Sequence, residues 1–221
     1  WLRASEYWRQ AFFYVRTRFD DERLQTGWSR HRAAFREALK LLPFTSTIAG
    51  IPFGTGTMTG YLLRPAGAVA PRPTVILPAG YDSTAESGYV ETAWMALARG
   101  MNAFTFEGPG QGGTLYRDHI PMGPDYETVL SPAVDWLIGQ EGVDPGKLVL
   151  VGRSLAGYLA PRGAAHEPRL AALVCDPGQV EFISRIKAMV SPKLLPASWG
   201  EEIWTKIVAA DPLVDGALDQ M

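Results

Sequence analysis

The stretch KLVLVGRSLAGYLAPR, residues 147–162, decides the fold of this chain. A run of β-formers, Leu148 to Val151, meets a glycine and then Ser154, and small residues and helix formers follow at once. Small residues two before and two after this serine would let a strand and a helix approach each other closely. The order of strand, tight turn and helix predicts a nucleophile elbow, with the Ser154 hydroxyl standing clear of a sheet. The alternative is a serine that only caps an ordinary helix.

Strands and helices alternate on both sides of this turn. Apolar runs in PTVILPAG, MNAFTFEG, KLVLVG and LAALVCDPG predict four strands, and helical patterns at residues 91–99 and 126–140 separate them. Upstream, STIAGIPFG and TMTGYLLRP predict an antiparallel pair. Continuous apolar strands between amphipathic helices are typical of a mostly parallel sheet covered on both faces. The predicted fold class is therefore α/β.

The chain divides into three parts by pattern. Residues 1–43 carry aromatic and aliphatic side chains at helical spacing, which predicts an N-terminal helical segment. Residues 44–179 hold the alternating strands and helices and are expected to form the first half of an α/β core. Residues 180–221 have a helical pattern broken by prolines, with no strand pattern, and are expected to begin a helical cap.

Composition excludes several classes of protein. The 221 residues are 47% hydrophobic, enough for one sizeable core, and the net charge of -2 gives no basic footprint for nucleic acid or an anionic membrane. The single cysteine, Cys175, excludes a disulfide within the chain and is expected to pack in the core. The sequence shows no membrane-length segment and no signal peptide, so we expect a cytoplasmic protein. No metal and no cofactor are expected, and whether the chain forms a homodimer is left open.

A serine nucleophile also requires donors for the oxyanion of its intermediate. The backbone N–H of Leu155, directly after the serine, is one expected donor. The loop PAGYDSTAES, residues 78–87, follows an earlier strand and lies where the second donor belongs, with the Tyr81 N–H preferred. The alternative is a plain loop in which Asp82 or Ser83 caps the next helix.

The stretches AGYDSTAES, FTFEGPGQGG and VDPGKLVLVGRSLAGYLAPR, together with the helical N-terminus, resemble the α/β-hydrolase superfamily. Within it they resemble a group with an N-terminal helical segment and a helical cap. That group includes dihydropseudooxynicotine hydrolase, fungal heptaketide-shortening hydrolases and relatives of the fermentation-respiration switch protein. Ala156 stands where the elbow of this group usually has glycine.

The resemblance implies a serine hydrolase that forms an acyl-enzyme on Ser154. Its substrate would be a small hydrophobic molecule with an ester, thioester, amide or ketone-adjacent C–C bond. Four cap side chains are candidates to line the substrate pocket, and cap-to-core packing is their alternative role: Phe182, Met189, Trp199 and Trp204. A non-catalytic regulator on the same scaffold, or a cyclase or acyltransferase with the same serine, remain as alternative functions.

The resemblance further implies an acid and a histidine after later strands. The chain has three histidines, His31, His119 and His166. His166 lies about 18 Å along a helix from Ser154, beyond hydrogen-bond reach. His119 follows the glycine-rich loop and is a candidate to touch substrate, or else an ordinary loop residue. We therefore expect the acid, the base and the second half of the fold beyond Met221 or in a second fragment.

Two carboxylates near the expected site have other interpretations. Asp176 follows the strand after the elbow and is the best local candidate for the acid, although Asp176-Pro177-Gly178 is also a simple turn. Glu107, at the end of its strand, is expected to brace the glycine-rich loop by accepting backbone N–H bonds.

Overall fold

A six-stranded mixed sheet forms the centre of the computed structural model, which describes residues 1–15, 18–67 and 70–179. Its strands are β1 Phe44–Phe53, β2 Gly56–Pro65, β3 Arg72–Pro78, β4 Asn102–Phe106, β5 Val143–Arg153 and β6 Leu170–Asp176. They lie in the order β1-β2-β4-β3-β5-β6. Strands β3, β4, β5 and β6 are parallel to one another, whereas β2 is antiparallel to both β1 and β4.

Helices cover both faces of this sheet. They are α1 Leu2–Phe13, α2 Glu22–Leu39, α3 Trp94–Ala98, α4 Gly112–Tyr116, α5 Glu127–Ile138 and α6 Ala156–Ala165, and a π-helical turn, Tyr89–Ala93, leads into α3. Because successive strand residues point to opposite faces, Leu62 packs with α5 and α6 in one core cluster. Its neighbour Leu63 packs with α2 and α3 in the other. The predicted α/β class and the predicted antiparallel pair are confirmed.

The sequence pattern and the structure differ in three places. The N-terminal segment contains two helices, and the helix expected at residues 91–99 begins with the π-helical turn. The short helix α4 was not predicted, because its sequence GGTLY is too short and glycine-rich to show a helical period. Cys175 was expected in the core and is only half-buried, because β6 is the edge strand of the described sheet.

No helix among the described residues is both long enough and apolar enough to cross a membrane. The expected cap, residues 180–221, lies outside the described part of the chain.

A buried polar network joins the N-terminal helices to the loop after β3. His31 on α2 is fully buried; its Nδ1 lies 2.8 Å from Ser5 Oγ on α1 and its Nε2 lies 2.8 Å from Thr84 Oγ1 in the loop. The side chains are thus paired across three segments that are distant in sequence. Since unpaired buried polar groups are costly, these hydrogen bonds fix the position of the loop relative to the helices.

Two buried carboxylates lie in the same region. The Tyr61 hydroxyl donates to Glu86 Oε1 at 2.7 Å, and Arg32 Nε lies 3.3 Å from the same oxygen as a charge contact without hydrogen-bond geometry. Glu107 is fully buried and accepts from the Gly113 N–H at 2.6 Å, the bracing bond expected from the sequence. Burial raises the pKa of Glu107 above its ordinary value of 4.5, and the charge of Glu86 raises it further.

The junction of the hairpin with the parallel strands allows a steric prediction. A Cβ at Gly60 on β2 would lie 2.7 Å from Phe104 Cε2 and 2.9 Å from the Thr105 carbonyl oxygen on β4. We expect Gly60→Ala to lower the free energy of unfolding by about 1–3 kcal/mol in urea denaturation, because a buried ring and a backbone carbonyl must move. Gly50→Ala on β1 is the control, since its Cβ would make an ordinary 3.5 Å contact with Thr57. Equal losses in the two variants would contradict the steric argument.

The raised pKa of Glu107 predicts how stability changes with pH. Because the pKa of Glu107 in the folded state exceeds its ordinary value of 4.5, the folded state binds more protons than the unfolded state at pH values between the two. The free energy of unfolding contributed by Glu107 therefore falls as the pH rises from 4.5 through the folded pKa. We expect Glu107→Gln to lose less stability over this window than the parent in denaturation at several pH values. Glu141→Gln, at an exposed carboxylate, should keep the parent profile. A Glu107→Gln profile as steep as that of the parent would contradict the assignment.

Candidate active site

Ser154 occupies the turn between β5 and α6. The strand ends at Arg153 and the helix begins at Ala156, so only two residues complete the reversal. Ser154 has a φ of 57°, and His119 is the other non-glycine residue with positive φ in the part of the chain that the structure describes. This conformation is rare for a residue with a Cβ and is typical of sites where the surrounding structure imposes it. The Ser154 side chain is exposed.

Small residues permit the close contact of strand and helix at this turn. A Cβ on Gly152 would lie 2.2 Å from the Ala156 carbonyl oxygen and 2.7 Å from Ala160 Cβ. A Cβ on Gly157 would lie 2.1 Å from the Pro177 carbonyl oxygen. Glycine is therefore required at both positions. Ala156, where the resembling group usually has glycine, is completely buried and is the first residue of α6.

Backbone hydrogen bonds hold Ser154 in place. Its N–H donates to the Asp176 carbonyl oxygen at 2.8 Å, and its carbonyl oxygen accepts from the Gly157 N–H at 2.9 Å and from Gln179 Nε2 at 3.2 Å. The Asp176 carboxylate itself is exposed, with Oδ2 3.9 Å from Arg153 Nε. Asp176 thus supports the turn through its backbone, and its carboxylate faces the arginine before the serine.

The loop after β3 lies beside Ser154. Because β3 and β5 are neighbours in the sheet, their carboxyl ends meet at one edge. A Cβ on Gly80 would lie 3.2 Å from the Arg153 carbonyl oxygen and 3.4 Å from Ser154 Cβ. The Gly80–Tyr81 peptide is therefore next to the serine, on the side where the sequence predicted an oxyanion donor. The second predicted donor, Leu155, is buried at the start of α6, whose N-terminus favours negative charge.

Thr84 and Ser87, near the end of this loop, form a pair of reciprocal hydrogen bonds that the sequence did not single out. The Ser87 N–H donates to Thr84 Oγ1 at 3.2 Å, and the Thr84 N–H donates to Ser87 Oγ at 2.9 Å, the reciprocal arrangement of a capping box. Ser83 Oγ instead donates to the Glu91 carboxylate. Asp82 and Ser83, the alternative caps, are not part of this reciprocal pair.

The histidines lie in three separate places. His31 is buried in the network of the N-terminal helices. His119 is exposed, with its ring 6.3 Å from the Phe19 ring. His166 follows α6 and lies with Nδ1 3.1 Å from the Arg162 carbonyl oxygen. Among the described contacts, no histidine reaches Ser154.

Four of the predicted pocket residues fall outside the described residues: Phe182, Met189, Trp199 and Trp204. Within residues 1–15, 18–67 and 70–179, no group of three or more His, Cys, Asp or Glu side chains is arranged to hold a metal ion.

Comparisons with known proteins agree with this geometry, although no protein-family model matches the chain. Hydrolase LUC6 of a Fusarium species is 34% identical over 200 residues, which are 87% of this chain and 48% of that protein. The 2,6-dihydropseudooxynicotine hydrolase of Paenarthrobacter nicotinovorans is 35% identical over 166 residues, 73% of this chain and 43% of that protein.

A solved structure shares the fold as well as the sequence. The crystal structure of the 2,6-dihydroxy-pseudo-oxynicotine hydrolase matches with a TM-score of 0.68 at 34% identity, over 77% of this chain and 46% of that one. The chain thus spans about half the length of the curated relatives it matches. Since sheet order, elbow and relatives agree, the chain belongs to the α/β-hydrolase superfamily, in the group that contains these fungal hydrolases and the dihydropseudooxynicotine hydrolase.

Proposed function

We propose that the protein is a serine-dependent hydrolase with Ser154 as its nucleophile. The observation that carries this proposal is the positive φ of Ser154 at an exposed two-residue turn between β5 and α6. The Ser154 Oγ attacks the carbonyl carbon of the substrate, the leaving group departs, and an acyl-enzyme remains until water hydrolyses it. The hydrolases among the relatives support this reaction class.

The oxyanion of each tetrahedral intermediate is stabilised by two backbone donors, the N–H groups of Leu155 and Tyr81. Two features support this assignment: the start of α6 lies directly after Ser154, and Gly80 lies against Ser154 Cβ. Donors fixed in place before the reaction stabilise developing charge without a reorganisation penalty, which is the main advantage of an oxyanion hole.

A general base must take the Ser154 proton during attack and deliver it to the leaving group. A serine hydroxyl is a weak nucleophile near neutral pH, so this base has to lie within hydrogen-bond reach. None of the three histidines of this chain makes such a contact among the described residues. We assign the base to a histidine and the acid that orients it to a carboxylate. Both would lie in the part of the fold that the relatives have and that this chain does not span.

The substrate belongs to a chemical class set by this reaction and by the cap. It is a small hydrophobic molecule with an ester, thioester, amide or ketone-adjacent C–C bond. In this proposal His119 and the cap residues Phe182, Met189, Trp199 and Trp204 line its pocket. The exposed position of His119 beyond the glycine-rich loop, on the edge of the sheet where β4 ends, supports its inclusion.

Replacement of the nucleophile tests the proposal. In the complete natural protein we expect Ser154→Ala to lower kcat/KM for p-nitrophenyl acetate by about a thousandfold or more, because the hydroxyl that forms the acyl-enzyme is lost. Folding should be unchanged by circular dichroism, and a fluorophosphonate probe should label the parent but not the variant. Ser46→Ala, at an exposed serine of β1, should behave as the parent. A parent that neither hydrolyses esters nor reacts with the probe would favour the regulatory alternative.

A further inference from the structure

Gln111, in the glycine-rich loop before α4, joins two loops through its side chain. It is 2% exposed. Its Nε2 donates to the carbonyl oxygens of Ala79 at 2.5 Å and Gly80 at 3.1 Å, and its Oε1 accepts from the Gly108 N–H at 2.8 Å. Both amide hydrogens and the amide oxygen therefore have partners. Two of these partners belong to the loop that borders Ser154.

The Gly80 contact bears directly on the oxyanion donor. The Gly80 carbonyl and the Tyr81 N–H are the two ends of one planar peptide unit, and they point in opposite directions. A hydrogen bond that fixes the Gly80 oxygen therefore also fixes the direction of the Tyr81 N–H. The same peptide begins at the residue whose Cβ would meet Ser154 Cβ at 3.4 Å. Gln111 is thus connected to the donor through one rigid group.

We propose that Gln111 is a positioning residue of the oxyanion hole, which holds the Gly80–Tyr81 peptide with its N–H toward the oxyanion. This inference rests on the proposed function, because it assumes that Tyr81 donates to the reacting oxygen. Gln111 does not touch the substrate in this arrangement. It acts on the reaction by limiting rotation of the peptide unit, at a glycine where the backbone is otherwise permissive.

Gln111 is itself held firmly enough for this role. Its carbonyl oxygen lies 2.6 Å from Thr114 Oγ1, whose single proton is shared between this oxygen and the Gly108 carbonyl oxygen. On the other side, the Ala79 N–H donates to the Phe106 carbonyl oxygen at 2.9 Å. The Gln111 side chain and its three hydrogen bonds, which we call the clip, therefore connect the end of β4 with the end of β3. A side chain without such partners would not transmit an orientation, whereas the amide oxygen and nitrogen of Gln111 are both hydrogen-bonded.

Only an amide satisfies all three contacts. Glutamate has nearly the same shape, but its carboxylate cannot donate, so it would face two carbonyl oxygens with negative charge. Methionine has a similar length and makes no such hydrogen bonds. The two variants Gln111→Glu and Gln111→Met therefore remove the clip in different ways. A shared effect of both on turnover would come from the lost clip and not from an added charge.

The test measures turnover per active site in the complete natural protein. We expect both variants to lower kcat for p-nitrophenyl acetate by about 10- to 100-fold, with KM changed less than about threefold, because the oxyanion forms only in the transition state. Endpoint titration with a fluorophosphonate counts intact sites, so partial unfolding does not alter kcat per site. Gln25→Met is the matched control: Gln25 Nε2 also donates to two backbone carbonyls, those of Phe19 at 3.0 Å and Tyr116 at 2.9 Å, away from the elbow.

A transition-state analogue separates positioning from general stability. A trifluoromethyl ketone forms an oxyanion adduct with the serine, so its affinity should fall in parallel with kcat/KM in the Gln111 variants and stay unchanged in Gln25→Met. A merely structural role would reduce the number of titratable sites and leave kcat per site unaltered, which would overturn the inference. Failure of the proposed function looks different, because Ser154→Ala would then keep full activity whatever Gln111 does.

Discussion

The contact of β5 with α6 at Gly152 is the constraint on which the elbow depends. A side chain there would meet the Ala156 carbonyl oxygen at 2.2 Å, so strand and helix lie as close as their backbones allow. The chain has to reverse within two residues, and Ser154 adopts a φ of 57°. That conformation costs about 1–2 kcal/mol for a residue with a Cβ. The hydrogen bonds of Ser154 to Asp176 and Gly157 offset it, so packing of the sheet maintains the strained serine.

The N-terminal helices are part of the same arrangement. His31 and Arg32 on α2 contact Thr84 and Glu86 in the loop after β3, and α1 supplies Ser5 to the opposite side of His31. Buried charges and hydroxyls are stable only when they are paired. The helical segment therefore supplies polar and charged contacts to the loop whose other end borders Ser154.

The sequence predicted the parts of the fold that depend on local patterns. Apolar runs identified β3 to β6, and the glycines around Ser154 identified the elbow, because both signals lie within a few adjacent residues. The His31–Thr84 pair joins positions 53 residues apart in the sequence, and the Gln111–Gly80 bond joins positions 31 residues apart. No periodic pattern in the sequence therefore indicates either contact. Cys175 was expected in the core and is half-buried, because β6 is the last strand of the sheet among the described residues.

The two buried carboxylates also bear on the electrostatics of the site. A site that must hold an oxyanion is disfavoured by fixed negative charge in the loops around it. Glu86 and Glu107 are both buried in these loops, and the charges of Arg32 and Arg117 lie near them. Because burial and the charge of Glu86 raise the pKa of Glu107, the pair carries less negative charge than two free carboxylates at the same pH. Glu107 thus braces the glycine-rich loop, through the bond from the Gly113 N–H, with less negative charge than a free carboxylate would carry.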